Sequence, residues 1–330
     1  MRLGDKAIIG GALDTRYLSA SQGTTNDAYL NDAEVDLTYP LVHNGVTNGN
    51  VVLQAIGEDP PNIHDGSDVE FGEAYVIDKL PTSPTSDSTG YVKIGQFQVP
   101  FGLLATYDPH LLISQPLYSE SLGIRNDWGI AISGRFYSVL NYDLSVTRGV
   151  GPKVIGQVDP TEVVNFRLGR TFVTRNGTVN VGGSMLAGRL PEVEIDAQHP
   201  FAVELPPSGR VRADDGYVNK SRIAADATLL YKRVTARGEA VTGADGDDRV
   251  YGYYASGEYM TTTRLGVLIA SSLWHYPSGD SFTNDQEAGA TYALSPNVTA
   301  RCLLEEIHNR PTGLDTTSSH QFTAQLLFRF

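Results

Sequence analysis

The last ten residues of the chain, "QFTAQLLFRF" at 321–330, alternate between two kinds of side chain. The apolar face consists of Phe322, Ala324, Leu326, Phe328 and Phe330. The more polar face consists of Gln321, Thr323, Gln325, Leu327 and Arg329. A period of two residues is typical of a β-strand with two different faces. The apolar face would meet a core in a soluble protein, or lipid in a membrane barrel, where the terminal aromatic would lie at the interface.

The same alternation recurs along the chain and predicts an all-β protein of sixteen strands. Their expected limits are 5–17, 30–41, 50–57, 69–79, 91–100, 128–137, 141–149, 163–173, 178–187, 221–231, 234–242, 249–260, 263–272, 286–294, 298–307 and 320–330. Mostly short connections alternate with mostly long ones, of which 101–127 is the third. This asymmetry predicts one domain over 1–330, a 16-stranded antiparallel transmembrane β-barrel with short periplasmic turns and long external loops.

A soluble β-sandwich or solenoid would alternate in the same way, so the loops and the aromatics must separate the two classes. A sandwich has no reason to sort its loop lengths by parity. It also does not explain the aromatic residues near strand ends. These are Tyr17, Phe136, Tyr137, Tyr142, Phe172, Tyr231 and Phe330. The sequence therefore favours the barrel, with Phe330 at the interface on the short-turn side.

Composition excludes several other classes. The chain has 330 residues, and its single cysteine, Cys302, excludes an internal disulfide framework. No apolar run approaches the ~18 residues of a membrane-spanning helix. The net charge of −13 argues against nucleic acid as a partner. The start of the chain lacks the apolar core of a signal peptide, so we expect that an outer-membrane export signal has been removed.

The acidic excess lies in the predicted long loops, whereas the strands and short turns are nearly balanced. These carboxylates either keep the surface soluble or meet divalent cations and lipopolysaccharide at the cell surface. The stretch "ADGDDR" at 244–249 has oxygen ligands for a hard cation without the spacing of a calcium loop. The sequence leaves both interpretations open.

Charged residues within the strands fall opposite the apolar face. Because a Lys or Arg facing mid-bilayer hydrocarbon costs about 2–4 kcal/mol, these side chains are expected to line a wet lumen. The predicted pore-lining residues are Lys93, Arg135, Arg167, Arg222, Asp226, Arg237, Glu239 and Arg301. The alternative is a salt-bridged wall without preference for any solute. Arg148 and Arg170 do not follow the face rule.

Residues 69–136 contain the most specific sequence motifs: "VEFGEAYVIDKL", "YVKIGQFQVPFGLL" and "YSESLGIRNDWGIAISGRF". These motifs resemble those of the phosphate-selective porin O and P family of outer-membrane proteins. The resemblance implies a sixteen-stranded, usually trimeric porin whose third external loop enters the lumen, with basic residues near the constriction that select phosphate. This chain has Gln98 where the family has lysine, and Leu104 where it has an acid. We therefore expect this chain to share the fold and transport class of that family, whereas these two differences argue against its phosphate specificity.

The 101–127 loop is apolar over "FGLLATY" and "LLISQPLY", so we expect it to fold into the lumen as a constriction. Its polar residues would be Asp108, His110, Glu120, Arg125 and Asp127. We expect its acids to face wall bases such as Arg135, Arg167 and Arg237 across the channel. Opposed charges would orient polar solutes without strongly favouring one ion.

The sequence argues against an enzyme. The histidines lack the H-E-x-x-H spacing of a zinc site, and "GGSMLAG" around Ser184 has Leu186 where a nucleophile elbow needs glycine. No metal or cofactor is expected. The predicted function is an outer-membrane porin for passive diffusion of small hydrophilic solutes and ions. The predicted partners are outer-membrane lipid, lipopolysaccharide and two further copies in a homotrimer. The alternatives are an anion- or phosphate-selective porin, and a barrel scaffold that sheathes or docks another protein.

Overall fold

The fold is described by a computed structural model. It covers residues 2–3, 7–20, 27–43, 46–58, 68–81, 87–108, 114–137, 139–151, 162–191, 216–276, 281–310 and 315–330. Strands make up most of these residues, and the helices are confined to two short turns between β6 and β7. No helix in this part of the chain is long and apolar enough to cross a membrane.

The strands follow one another along the whole chain. In order they are β1 Arg2–Leu3, β2 Ala7–Ala20, β3 Asp27–His43, β4 Val46–Glu58, β5 Asp68–Lys79, β6 Thr89–Gln98, β7 Asn126–Phe136, β8 Leu140–Thr147, β9 Val163–Thr174, β10 Gly177–Pro191, β11 Tyr217–Tyr231, β12 Val234–Asp245, β13 Asp248–Met260, β14 Leu265–His275, β15 Phe282–Ser295, β16 Val298–Arg310 and β17 Thr317–Arg329.

Strands β2–β17 form a closed antiparallel barrel in which each strand pairs with its neighbours in sequence. The ring closes where β17 pairs with β2, with Ala12 opposite Arg329 and Ala20 opposite Gln321. The two-residue β1 pairs only with the beginning of β2. The predicted fold class, a 16-stranded antiparallel barrel, is confirmed.

The predicted strands coincide with observed ones, but several continue farther on the long-loop side. One of these differences concerns 243–248, which was expected to be an external loop. Strand pairing continues there as far as Asp245 opposite Asp248, and only two residues make the turn. Gly246 supplies the positive φ of 59° that this turn needs. Asp245 forms an ion pair with Arg222, so the stretch at 244–249 is a hairpin end rather than a cation loop.

The two faces of the wall differ as the alternation requires. On β11 the exposed side chain of Ile223 alternates with the buried side chains of Arg222, Ala224 and Asp226. The outer face is apolar and exposed, for example 68% at Ile269, whereas charged side chains point inward. This is the opposite of a soluble protein and matches a barrel whose outer face meets hydrocarbon.

Exposed aromatic side chains cluster at the short-turn end of the barrel. They include Tyr39, Phe136, Tyr137, Phe172, Tyr231, Tyr259, Tyr292, Phe328 and Phe330. The Phe330 backbone N–H donates to the Gly11 carbonyl at 3.1 Å, so the last residue extends the seam between β17 and β2. Its side chain is 62% exposed, as expected for an interfacial aromatic at the rim of a barrel.

Candidate functional site

The long connection between β6 and β7 packs against inward-facing side chains of the wall. We call residues 99–125 the inner segment, of which 99–108 and 114–125 are described. It contains a 3-10 helix, η1, at Gly102–Thr106 and one helical turn, α1, at Tyr118–Ser121. The Val99 N–H donates to the Arg125 carbonyl at 3.0 Å, which brings the two ends of the segment together at the wall.

Apolar side chains of the inner segment pack against inward-facing apolar side chains of the wall. The segment contributes Val99, Phe101, Leu103, Leu104, Tyr107, Leu117, Tyr118, Leu122 and Ile124. The wall contributes Val163, Leu186, Leu190, Ala224, Val241, Val250, Tyr254, Ala270, Trp274 and Tyr276, mainly from β9–β14. Because each fully buried large side chain contributes roughly 1.5–3 kcal/mol, this cluster holds the segment firmly against that part of the wall.

Two wall side chains hold the beginning of η1. The Gly102 N–H donates to Ser184 Oγ at 3.0 Å, and the Leu103 N–H donates to Glu239 Oε1 at 2.9 Å. These are N–H groups of a helix N-terminus, which has no carbonyl partners of its own and favours a negative charge. A Cβ atom at Gly102 would overlap Glu239 Oε1, and φ is +51° there, so glycine permits this close approach.

A second polar anchor lies farther along the inner segment. Ser114 Oγ donates to Glu287 Oε1 on β15 at 3.0 Å and accepts a hydrogen bond from the Tyr254 hydroxyl on β13 at 3.0 Å. The segment starts between β6 and β7, so contacts with β13 and β15 require it to extend across the interior of the barrel.

Three wall bases lie beneath the inner segment and donate to its carbonyl oxygens. Arg222 Nε donates to Ser121 O at 3.0 Å, Lys220 Nζ to Leu122 O at 3.3 Å, and Arg167 Nε to Gly102 O at 3.3 Å. All three side chains are buried. Arg222 also pairs with Asp245, so its charge is balanced within the wall. These bases position the segment.

Arg167 reaches its carboxylate across an intervening strand. Its Nη2 lies 2.6 Å from Asp226 Oδ1, although Arg167 is on β9 and Asp226 is on β11. Gly182 on β10 lies between them, and a Cβ atom there would overlap both Arg167 Nη2 and Asp226 Oδ2. The missing side chain at Gly182 therefore leaves the space in which this buried ion pair forms.

The structure separates the five polar residues predicted in the constriction. Asp108 and Glu120 are half-buried, whereas Arg125 is buried with its guanidinium 5.9 Å from the centre of the Tyr107 ring. Asp127 is buried in the wall, where it accepts hydrogen bonds from the N–H groups of Trp128 and Gly149. His110 lies outside the described residues.

The expected pairing of loop acids with wall bases across the channel is wrong for Asp127 and Arg135. These residues lie at opposite ends of β7, so the length of the strand separates them. Arg135 Nε instead donates to Asn141 Oδ1 at 3.0 Å near the short turn. Arg167 pairs with Asp226, as described above, and Arg237 is half-buried on the inner face of β12.

The remaining predicted pore-lining residues lie on inward-facing positions. Lys93 Nζ lies 4.5 Å from the centre of the Tyr75 ring. Arg301 is buried and donates to Gln325 Oε1 at 3.0 Å. Glu239 is the ligand of η1 described above. A role of these residues in conduction stays a prediction.

Three inward carboxylates meet on neighbouring strands, a grouping that the sequence analysis did not single out. Carboxylate oxygens of Asp285, Glu287 and Glu305 lie within 4.8 Å of one another. Two of them receive hydrogen bonds from neutral side chains, Glu287 from Ser114 and Glu305 from Gln321 at 3.0 Å. This part of the wall is acidic.

Sequence reasoning missed the residues that anchor the inner segment. Ser184 was considered only as a nucleophile, and Lys220 and Tyr254 were not singled out, although the strand alternation places all three on the inner face. A polar residue next to small or apolar inward neighbours was the available signal. It could not show which part of the wall the segment reaches.

Solved structures with the same architecture are outer-membrane proteins. The outer membrane channel DcaP of Acinetobacter baumannii is similar with a TM-score of 0.65 at 10% identity, over 98% of this chain and 97% of that one. Pseudomonas putida OprB gives 0.67 at 9% identity, over 98% and 94%. The trimer form of Vibrio cholerae OmpT gives 0.63 at 10% identity, over 98% and 99%. The chain and these proteins therefore have the same barrel fold.

No protein-family model and no curated protein matches the chain. The structural similarity shows that the chain shares a barrel fold with these outer-membrane proteins. It does not single out the phosphate-selective porin O and P family among porins, so that finer resemblance stays a prediction.

Proposed function

We propose that this protein is an outer-membrane porin through which small hydrophilic solutes and ions diffuse passively. The observation that carries this proposal is a closed 16-stranded barrel with an apolar outer face and a charged inner face. Barrels of this size are wide enough to enclose an aqueous channel. Inward charges are stable there because water and counter-charges solvate them.

The inner segment is the proposed constriction of this channel. Its apolar side is buried against β9–β14, and its polar anchors Ser184, Glu239 and Glu287 lie on different strands of the wall. A body held at several points across the interior reduces the free cross-section and leaves the path along β2–β5 and β16–β17. Solutes pass beside the segment rather than through it.

The outer surface supports a location in the outer membrane. Its exposed apolar side chains and the aromatic cluster at the short-turn end match the hydrocarbon and interfacial zones of a bilayer. The partners proposed for this surface are outer-membrane lipids and, at the long-loop end, lipopolysaccharide.

A homotrimer is the proposed assembly, and an outward-facing polar group supports it. Gln286 Nε2 donates to Ser271 Oγ at 2.7 Å, and His308 Nδ1 lies 2.7 Å from Ser318 Oγ. Glu306 Oε1 lies 3.4 Å from His308 Nε2 on the same outer face. Polar groups facing hydrocarbon are costly, so a subunit contact over this face is favourable. A monomer by native mass spectrometry in several mild detergents would overturn the trimer.

Conductance in planar bilayers tests the proposed function. The purified, refolded protein should produce stepwise increases in current that persist at both polarities. A heat-denatured sample of the same preparation is the control for detergent artefacts. If folded, membrane-inserted protein carries no current, the barrel is a scaffold and the porin proposal fails.

A further inference from the structure

The inner segment changes which charges of the wall reach the channel. Arg167, Lys220 and Arg222 are buried beneath it, with exposed fractions of 8%, 2% and 1%. Their N–H groups are directed to carbonyl oxygens of the segment, and Arg167 and Arg222 are also paired with Asp226 and Asp245. A base that is buried, hydrogen-bonded and paired attracts mobile anions little. The segment thus removes the main basic cluster of the wall from the path.

The wall on the other side of the path is acidic. Of the inward carboxylates of β2–β5 that the structure describes, Asp36 and Glu73 are half-buried, whereas Asp14, Asp32 and Glu34 are buried. The inward bases of the same four strands are Arg16, which lies 3.2 Å from Asp14 Oδ2, and Lys79 at the short-turn end. Arg16 is paired with the buried Asp14, so Asp36 and Glu73 leave the accessible charge of this surface negative.

The half-buried inward side chains show the same bias around the whole path. Between the two rims, the half-buried acids are Asp36, Glu73, Asp108, Glu120, Asp143, Glu258 and Asp285. The half-buried bases in the same described part of the interior are Arg16, Lys93 and Arg237, together with Arg329 near the short-turn end of β17. Asp108 and Glu120 belong to the inner segment itself, whose base Arg125 is buried. Acids therefore border the path on both sides.

We propose that the channel is selective for cations, and that its preferred solutes are inorganic cations and small organic amines rather than anions of the same size. This inference rests on the proposed porin function. A narrow channel with low-dielectric walls concentrates counter-ions of the opposite sign, and here the accessible wall charge is negative. A phosphate-binding site of the kind that the porin O and P resemblance implies would need accessible bases, whereas these bases hold the segment.

Reversal potentials in a potassium chloride gradient test the inference. We expect potassium to permeate about threefold or more better than chloride at 0.1 M salt, because the Debye length there is about 10 Å. The preference should weaken at 1 M, where the Debye length is about 3 Å.

The double variant Asp36→Asn with Glu73→Gln removes two wall charges with little change in shape. It should lower the ratio of potassium to chloride permeability by about half or more. Asp78→Asn, at an exposed position on the outer face of β5, removes one acidic charge outside the channel and should leave the ratio unchanged. An unchanged ratio in the double variant would overturn the role of this wall.

The outcomes for selectivity and for function are distinct. Robust conductance with a preference for chloride, or with block by inorganic phosphate, would overturn cation selectivity and leave the porin function standing. Absence of conductance in folded protein would overturn the porin function itself.

Discussion

Two parts of the inner wall follow the same strand alternation, but their inward side chains have different surroundings. On β9–β14 many inward side chains are buried against the inner segment, and even charged ones such as Arg222 become parts of its packing. On β2–β5 the inward side chains form a polar surface with acids such as Asp36 and Glu73. The alternation determines which face a residue occupies. The inner segment determines whether an inward residue belongs to a core or to a channel.

Among the described residues, no segment packs behind the seam between β17 and β2, so the seam should depend most on its own strand ends. Phe330→Asp is expected to abolish most membrane insertion, because a carboxylate replaces the interfacial aromatic of the closing strand. Tyr137→Asp, at an exposed aromatic on the same rim, is the control and should insert normally. The measurement is the amount of heat-modifiable protein in outer membranes. Equal recovery of both variants would contradict the importance of the seam.

Excision of the inner segment tests most directly whether this segment distinguishes the inner wall of β9–β14 from that of β2–β5. Replacing residues 103–121 with a short glycine-serine linker should raise single-channel conductance by roughly twofold or more. The channel would gain the volume that the inner segment occupies beside β9–β14. The control is the heat-modifiable mobility of the variant, which reports the closed barrel. Unchanged conductance in a folded variant would show that the segment does not narrow the path.

Gly102→Val should loosen the segment without removing it. The new side chain would overlap Glu239 at a residue with positive φ, a cost of about 1–3 kcal/mol. We expect proteolysis within the segment to accelerate and the open-channel current to become noisier. Gly238→Ala is the matched control, since its Cβ would have no neighbour closer than 3.8 Å. Equal protease resistance of the two variants would argue against the anchor.

The smallest expected effect concerns the Glu239 carboxylate. Glu239→Ala removes the acceptor for the Leu103 N–H and should cost the attachment of η1 about 1–3 kcal/mol. Glu239→Gln keeps an oxygen acceptor, so the attachment of η1 should be closer in strength to that of the parent protein. Open-channel noise and hydrogen exchange at Leu103 measure the difference. A Gln variant as impaired as the Ala variant would mean that the charge, rather than the hydrogen bond, holds the helix.

The strands could be predicted from the sequence because a two-residue period depends only on local order. The faces of Arg222, Asp226 and Glu239 followed from it, and so did the barrel. The partners of these side chains did not, because they depend on where a distant segment lands. Glu239 was expected to line the pore, and it binds the N-terminus of η1.

The turn between β12 and β13 shows a different limit of the sequence. Its glycine and aspartates look like a loop, whereas the pairing of Asp245 with Arg222 on the neighbouring strand extends the hairpin. Turn-forming residues report that the chain reverses. They do not report how far the strands continue before it does.

The absent side chain at Gly182 has a consequence for how this protein can vary. Arg167, Gly182 and Asp226 occupy three consecutive strands, and the ion pair exists only while the middle position stays empty. A larger residue at 182 would separate the charges and leave each of them buried without its counter-charge, which is costly. Among related chains, these three positions should therefore change together or not at all, as a single inherited unit spread over 60 residues of sequence.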